Sequence, residues 1–200
     1  MPEYSVSIVT IFRYGRSAIA NEVHLLFCVC ALTCCATRAH AAPAVPATYQ
    51  GPCAAAVSHD GKTLFVANSD ARNVVWVDVA SGEITHRVAM PARPTGIALT
   101  RDGTKLAVTC AAPESTVVVL DTASSRKIRS IPAGHTAVGP AIAPDGHRLY
   151  VCNRFNDDVS IFDLDTGTQL ARVEADREPV AAAVTPDGKF VLVVNHLPNT

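Results

Sequence analysis

The chain is poor in charge, poor in aromatics and without an apolar run of membrane length. Only 18% of its 200 residues are charged, and 17 basic against 18 acidic side chains leave a formal net charge of −1. With no basic excess to neutralise phosphates, nucleic acid is not an expected partner. No block of like charges marks a charged tail. Aromatic residues make up 6% of the chain and the one tryptophan is Trp76. The sequence also has no G-x-S-x-G, no Walker-type phosphate loop, no H-E-x-x-H, and no C-x-x-C or C-x-x-C-H. Within these residues, that excludes the usual sequence signatures of a serine hydrolase elbow, a phosphate-binding loop, a zinc peptidase and covalently attached haem.

What is present falls into two kinds of text. Residues Leu25 to Ala36 read LLFCVCALTCCA, with Arg13 and Arg16 upstream and Ala39-His40-Ala41 downstream. A basic region, a short apolar run and an A-x-A site are the parts of a secretory leader, so residues 1–41 are expected to be cleaved after Ala41. The apolar run falls short of the roughly 20 residues a span requires. The mature chain is then expected to be periplasmic or extracellular, with no membrane span. Residues 42–50, rich in Pro and Ala, read as an extended linker. Cys28, Cys30, Cys34 and Cys35 lie in the leader, which leaves Cys53, Cys110 and Cys152. An odd number leaves at least one thiol unpaired in an oxidising compartment. Isolated cysteines in apolar strands are as a rule small buried hydrophobes.

From Gly51 onwards the chain is periodic. Asp-Gly recurs at Asp60-Gly61, Asp102-Gly103, Asp145-Gly146 and Asp187-Gly188, at intervals of 42, 43 and 42 residues. In phase with it run LFVAN (Leu64 to Asn68), LAVTC (Leu106 to Cys110), LYVCN (Leu149 to Asn153) and VLVVN (Val191 to Asn195). NVVWVDV, TVVVLDT and DVSIFDL follow in the first three units and carry Asp78, Asp121 and Asp163. Val- and Ile-rich runs of five to seven residues between turn signals are strands. Asp-Gly supplies the positive φ that tight hairpin turns demand. The strand-ending aspartates precede ASG, ASS and DTG, where a short carboxylate accepts from the next backbone N–H groups. An aspartate repeated at one place in every unit is turn chemistry. With a further strand in EITHRVAM, RKIRSIPA and TQLARVEA, each unit of about 42 residues holds four strands, the content of one propeller blade. The fold expected is all-β: a β-propeller with four-stranded antiparallel blades. Residues 51–200 hold about three and a half of them, in units 51–92, 93–134, 135–177 and 178–200.

PDGKFVLVVN, and LYVCN followed by DDVSIFDLDTG, resemble the YVTN-type β-propeller repeats of secreted and surface-layer proteins. No unit carries both the Gly-His and the Trp-Asp signature of WD40 repeats. Two units depart from the pattern. Unit three has Ala137 where the others have Pro52, Pro94 and Pro179, and unit two ends its second strand on Cys110 in place of asparagine. The resemblance implies a radial propeller, usually of seven blades, outside the cytoplasm. It implies little about activity, since similar repeats occur in binding proteins, in lactonases and in quinone- or haem-dependent oxidoreductases. A ring needs about four to eight blades to close. The expectation is therefore a truncated form of a longer propeller, or self-association through open blade edges.

Function is expected where loops joining second to third strands meet those joining successive blades. These loops carry Arg72, Arg93, Glu114, His135, Arg154, Arg177 and His196, the candidate ligand-binding residues. Their arginines would give that face a positive bias and favour anionic ligands. Catalytic residues are not identified; no metal set and no cofactor are evident. The reading is an exported binding or scaffold module for a small-molecule or protein ligand. One alternative is the N-terminal part of a periplasmic oxidoreductase, a quinone- or cytochrome-linked propeller, because NHLP after the last strand resembles propellers joined to redox domains. The other is a lactonase-like hydrolase.

Overall fold

The computed structural model describes residues 6–8 and 49–196, and all described elements are strands. In chain order they are β1 (Val6–Ile8), β2 (Pro52–Val57), β3 (Thr63–Asn68), β4 (Asn73–Asp78), β5 (Ile84–Ala89), β6 (Arg93–Leu99), β7 (Lys105–Ala111) and β8 (Thr116–Asp121). They continue with β9 (Lys127–Pro132), β10 (Ala137–Ile142), β11 (Arg148–Asn153), β12 (Asp158–Asp163), β13 (Gln169–Glu174), β14 (Pro179–Val184) and β15 (Val191–Asn195). Three four-stranded antiparallel sheets, β2-β3-β4-β5, β6-β7-β8-β9 and β10-β11-β12-β13, are the three full blades. β14 and β15 form the antiparallel inner half of a fourth. β1 lies beside β15 in parallel, with Val6 opposite Val191. The rest of the leader expected at 1–41, and the linker up to residue 48, lie outside the described residues.

The turns form for the reasons their residues suggest. Gly61, Gly103, Gly146 and Gly188 all take positive φ, between 70° and 77°. The neighbouring carboxylate ties each loop down: Asp60 Oδ1 accepts from Lys62 N at 3.1 Å, and Asp102 Oδ1 from Thr104 N at 3.0 Å. At the other turn of each blade, Asp78 Oδ1 accepts from the N–H and hydroxyl of Ser81, at 2.8 and 2.9 Å. Asp121 does the same with Ser124, and Asp163 with Thr166. These donors hold the carboxyls below the usual range, Asp102 at about 2.

Bulges recur in phase as well. Every inner pair shifts register near its start, at Pro52/Ala54, Pro94/Gly96, Val138/Ala141 and Pro179/Ala181. A bulge adds local twist and bends the strand it sits on. The inner strands of consecutive units then approach closely. Thr95 Oγ1 donates to Ala137 O at 2.6 Å, and a Cβ on Gly139 would stand 2.6 Å from Val180 O.

The core is divided among three seams between consecutive blades. Phe65, Val74, Trp76, Leu106, Val108 and Leu120 fill the first. Ala107, Val117, Val119, Leu149, Val151 and Phe162 fill the second, and Tyr150, Cys152, Val159, Ile161 and Val193 the third. Strand alternation produces this division: along β7, Leu106 and Val108 face the first unit and Ala107 faces the third. Blade two is therefore covered on both sides. Exposed apolar side chains remain at Val57, Val79 and Phe190, and once per blade on the outermost strand, at Ile84, Ile128 and Leu170.

Candidate functional site

The loops expected to share a face do so, because hydrogen bonds join the loop inside one hairpin to the connection between blades. Met90 N donates to Arg72 O at 2.8 Å, Gly134 N to Asn153 Oδ1 at 2.9 Å, and Glu178 N to Asp157 Oδ1 at 2.8 Å. The strand-ending asparagines organise these loops. Asn153 is fully buried and donates through Nδ2 to Asp158 at 2.5 Å and to Ser160 at 2.8 Å. Unit two, with Cys110 at that place, uses Ser115 instead: its hydroxyl accepts from Ala112 N at 3.1 Å and from Ala137 N at 2.9 Å.

Three of the candidate residues come together at the third seam. Glu178 Oε2 accepts from Arg154 Nε at 2.9 Å and Nη2 at 2.6 Å, and faces His196 Nδ1 at 3.2 Å. Arg154 and His196 both hold the Glu178 carboxyl below its ordinary value, the arginine more strongly. The Arg154 guanidinium also sits 5.2 Å from the ring centre of Phe155, against which His135 packs edge-on at 5.3 Å. The His135 backbone N–H is fixed by Asn156 Oδ1 at 2.6 Å. His135, Arg154, Phe155, Glu178 and His196 thus form one cluster, and Phe155 is 53% exposed within it.

The other candidates stand apart. Arg93 pairs with Asp70 at the first seam. Arg72 sits in the first hairpin loop at φ 49°, and Glu114 and Arg177 are exposed. The arginines at 93 and 154 each face a carboxylate, which offsets part of the positive bias expected of this face. Sequence reasoning passed over Phe155 and gave Glu178 no role. Their signal was their place in the repeat: an aromatic in a loop that is otherwise small and polar, and an acid one residue before the inner-strand proline.

The opposite face, made of the Asp-Gly turns, holds a 340 Å³ cleft between units two and three. A similar cleft of 310 Å³ lies between units one and two. In the former, the Asp165 carboxylate takes the Lys105 ammonium and meets His147 Nδ1 at 2.8 Å. Asp165, by hydrogen bond and charge, raises the His147 pKa above its ordinary value. A histidine raised on folding contributes stability that is full below about pH 6.5 and lost as the pH rises through its folded value. The urea midpoint is therefore expected to fall between about pH 6 and pH 8, and His147→Gln to flatten that fall. An unchanged slope in the variant would refute the assignment.

Among the described residues no group of three or more His, Cys, Asp or Glu is placed to hold a metal ion. No helix there is long and apolar enough to cross a membrane.

Comparison with known proteins agrees with this architecture. A family described as "Lactonase, 7-bladed beta-propeller" matches residues 132–200. The hydrazine synthase subunit beta of Kuenenia stuttgartiensis is 32% identical over 74% of this chain and 52% of that protein. A solved structure of Kuenenia stuttgartiensis hydrazine synthase superposes with a TM-score of 0.70 at 28% identity, over 76% of this chain and 44% of that one. The WD40 repeats of RRP9 superpose at 0.62 with 15% identity, over 68% of this chain and 42% of that one, a likeness of fold alone. The chain thus spans about half the length of the curated relative and less than half of the first structure. It forms about three and a half blades of a β-propeller, similar over about three quarters of its length to the hydrazine synthase subunit and, in its last third, to the seven-bladed lactonase type.

Proposed function

We propose that the chain is an exported, YVTN-type propeller module that binds a partner protein through the loop face at its third seam. The observation that carries this is Phe155: a half-exposed aromatic packed against both His135 and Arg154, whose guanidinium Glu178 anchors. Rigid aromatic and arginine side chains are the types that dominate binding energy at protein interfaces. The clefts described above lie on the other face, so this patch suits a surface better than a small molecule. Similarity to a protein named as a subunit supports the same role. The test places a photo-crosslinking residue at 155 and, as a control on the opposite face, at 101, in cells of the source organism. One discrete adduct at 155 and none at 101 is expected. Equal labelling at both, or none at 155, defeats the proposal.

A second reading, part of an enzyme, rests on His196. With Nδ1 held by Glu178, its Nε2 is left to move a proton or ligate a metal. The lactonase-type match makes hydrolysis the first reaction to try. Metal analysis and a lactone assay decide it: turnover lost in His196→Ala supports this role, and no metal with no turnover ends it.

A further inference from the structure

Two departures from the repeat lie at the first seam. At the place of Cys53, the later units carry Thr95, Val138 and Val180; at the place of Cys110, the others carry Asn68, Asn153 and Asn195. The first place sends its side chain towards the following blade. Thr95 donates across the second seam to Ala137 O, and Cys53 Sγ, in step with it, donates across the first to Pro94 O at 3.2 Å. The second place turns back: Cys110 packs in the core shared with the first blade. Pro94 is also the residue paired with Cys110 in the ladder between β6 and β7. The two cysteines therefore meet the same residue: Pro94 O receives Cys53, and Pro94 stands opposite Cys110 in the ladder. Cys152 is excluded from this meeting. It stands one residue out of phase with Cys110, which on a strand means the opposite face, and it lies in the third core.

We propose that Cys53 and Cys110 form a disulfide that staples the first blade to the second. Both are reduced in this structure, Cys53 exposed and Cys110 buried. The reaction is exchange with a disulfide oxidant of the glutathione type. The accessible Cys53 thiolate attacks one oxidant sulfur and expels the first thiolate. The Cys110 thiolate then attacks the Cys53 sulfur and expels the second. Two electrons pass from the cysteine pair to the oxidant, and the two thiol protons leave with its two reduced halves. Burial pushes the Cys110 thiol up to about 11, so the second step is the slow one and quickens in base. The bond would cross the seam of the outermost blade, which has a neighbour on one side only among the described residues.

The test treats the full chain with oxidised glutathione at about pH 8.5, blocks free thiols under denaturing conditions and maps peptides by mass spectrometry. The expected result is one linked peptide pair joining Cys53 to Cys110, with Cys152 left free. With it goes a rise in melting temperature of roughly 5–10 °C that dithiothreitol reverses. Cys53→Ser and Cys110→Ser each abolish the rise, while Cys152→Ser keeps it. Recovery of Cys53 as a mixed disulfide with glutathione beside a blockable Cys110 would overturn the proposal. So would a link between either cysteine and any other.

Discussion

Gly139→Ala is expected to destabilise the protein by about 3 kcal/mol, the sum of a steric and a conformational cost. Gly139 lies in the bulged stretch of β10 at φ 53°, a region where a Cβ crowds its own backbone. The added methyl would also stand 2.6 Å from Val180 O and 2.7 Å from Ala181 Cα. Those atoms belong to the backbone of β14, so no side chain can swing aside to relieve them. Gly61 provides the control. Its φ is 70° but nothing lies within 4 Å of a Cβ added there, so Gly61→Ala is expected to cost about 1 kcal/mol. Urea unfolding followed by far-ultraviolet circular dichroism measures both. Equal losses would mean that inner strands do not approach as described.

Asn153→Ala is expected to cost about 3 kcal/mol, because three buried hydrogen bonds fail together. The side chain is fully buried; Nδ2 serves Asp158 and Ser160, and Oδ1 serves Gly134 N. Its removal leaves a 6%-exposed Asp158 without that donor and Gly134 N without an acceptor. Asn68→Ala, at the matching place in the first unit, removes one amide-to-amide bond to Asn73 and is expected to cost about 1 kcal/mol. The same denaturation curves compare the two. If Asn153→Ala were no worse than Asn68→Ala, the asparagine would not be the tie between hairpin loop and blade connection.

That second prediction also shows how far the sequence could be read. The asparagine at the end of each second strand was visible as a repeated letter at 68, 153 and 195. Its partners were not. Asp158 follows five residues later in the chain, but Gly134 belongs to the connection from the preceding blade. The substitution at Cys110 looked like a local irregularity; folding shows that Ser115 takes over the loop. The candidate site divides in the same way. Arg154, His135 and His196 were legible as charged or titratable residues on one set of loops. Glu178, which gathers two of them, was legible only as a loop acid, because its partners lie 24 and 18 residues away in sequence. Arg93, read with the same reasoning, pairs with Asp70 at the first seam, two seams from that cluster.

By itself the sequence determined the period, the strands and the turns, and so the all-β blade. Those features answer to forces that act within a few residues: positive φ at Asp-Gly, a carboxylate reaching N–H groups two or three residues on, and alternation of apolar side chains along a strand. Tertiary structure alone decided which side chains meet across a seam. Glu178 receives Arg154 from the preceding blade, 24 residues away, and Cys53 Sγ reaches Pro94 O, 41 residues on, because packing one repeat on the next brings them together. Nothing local encodes such meetings, since each depends on the bulged inner strands holding two blades at one spacing and one angle.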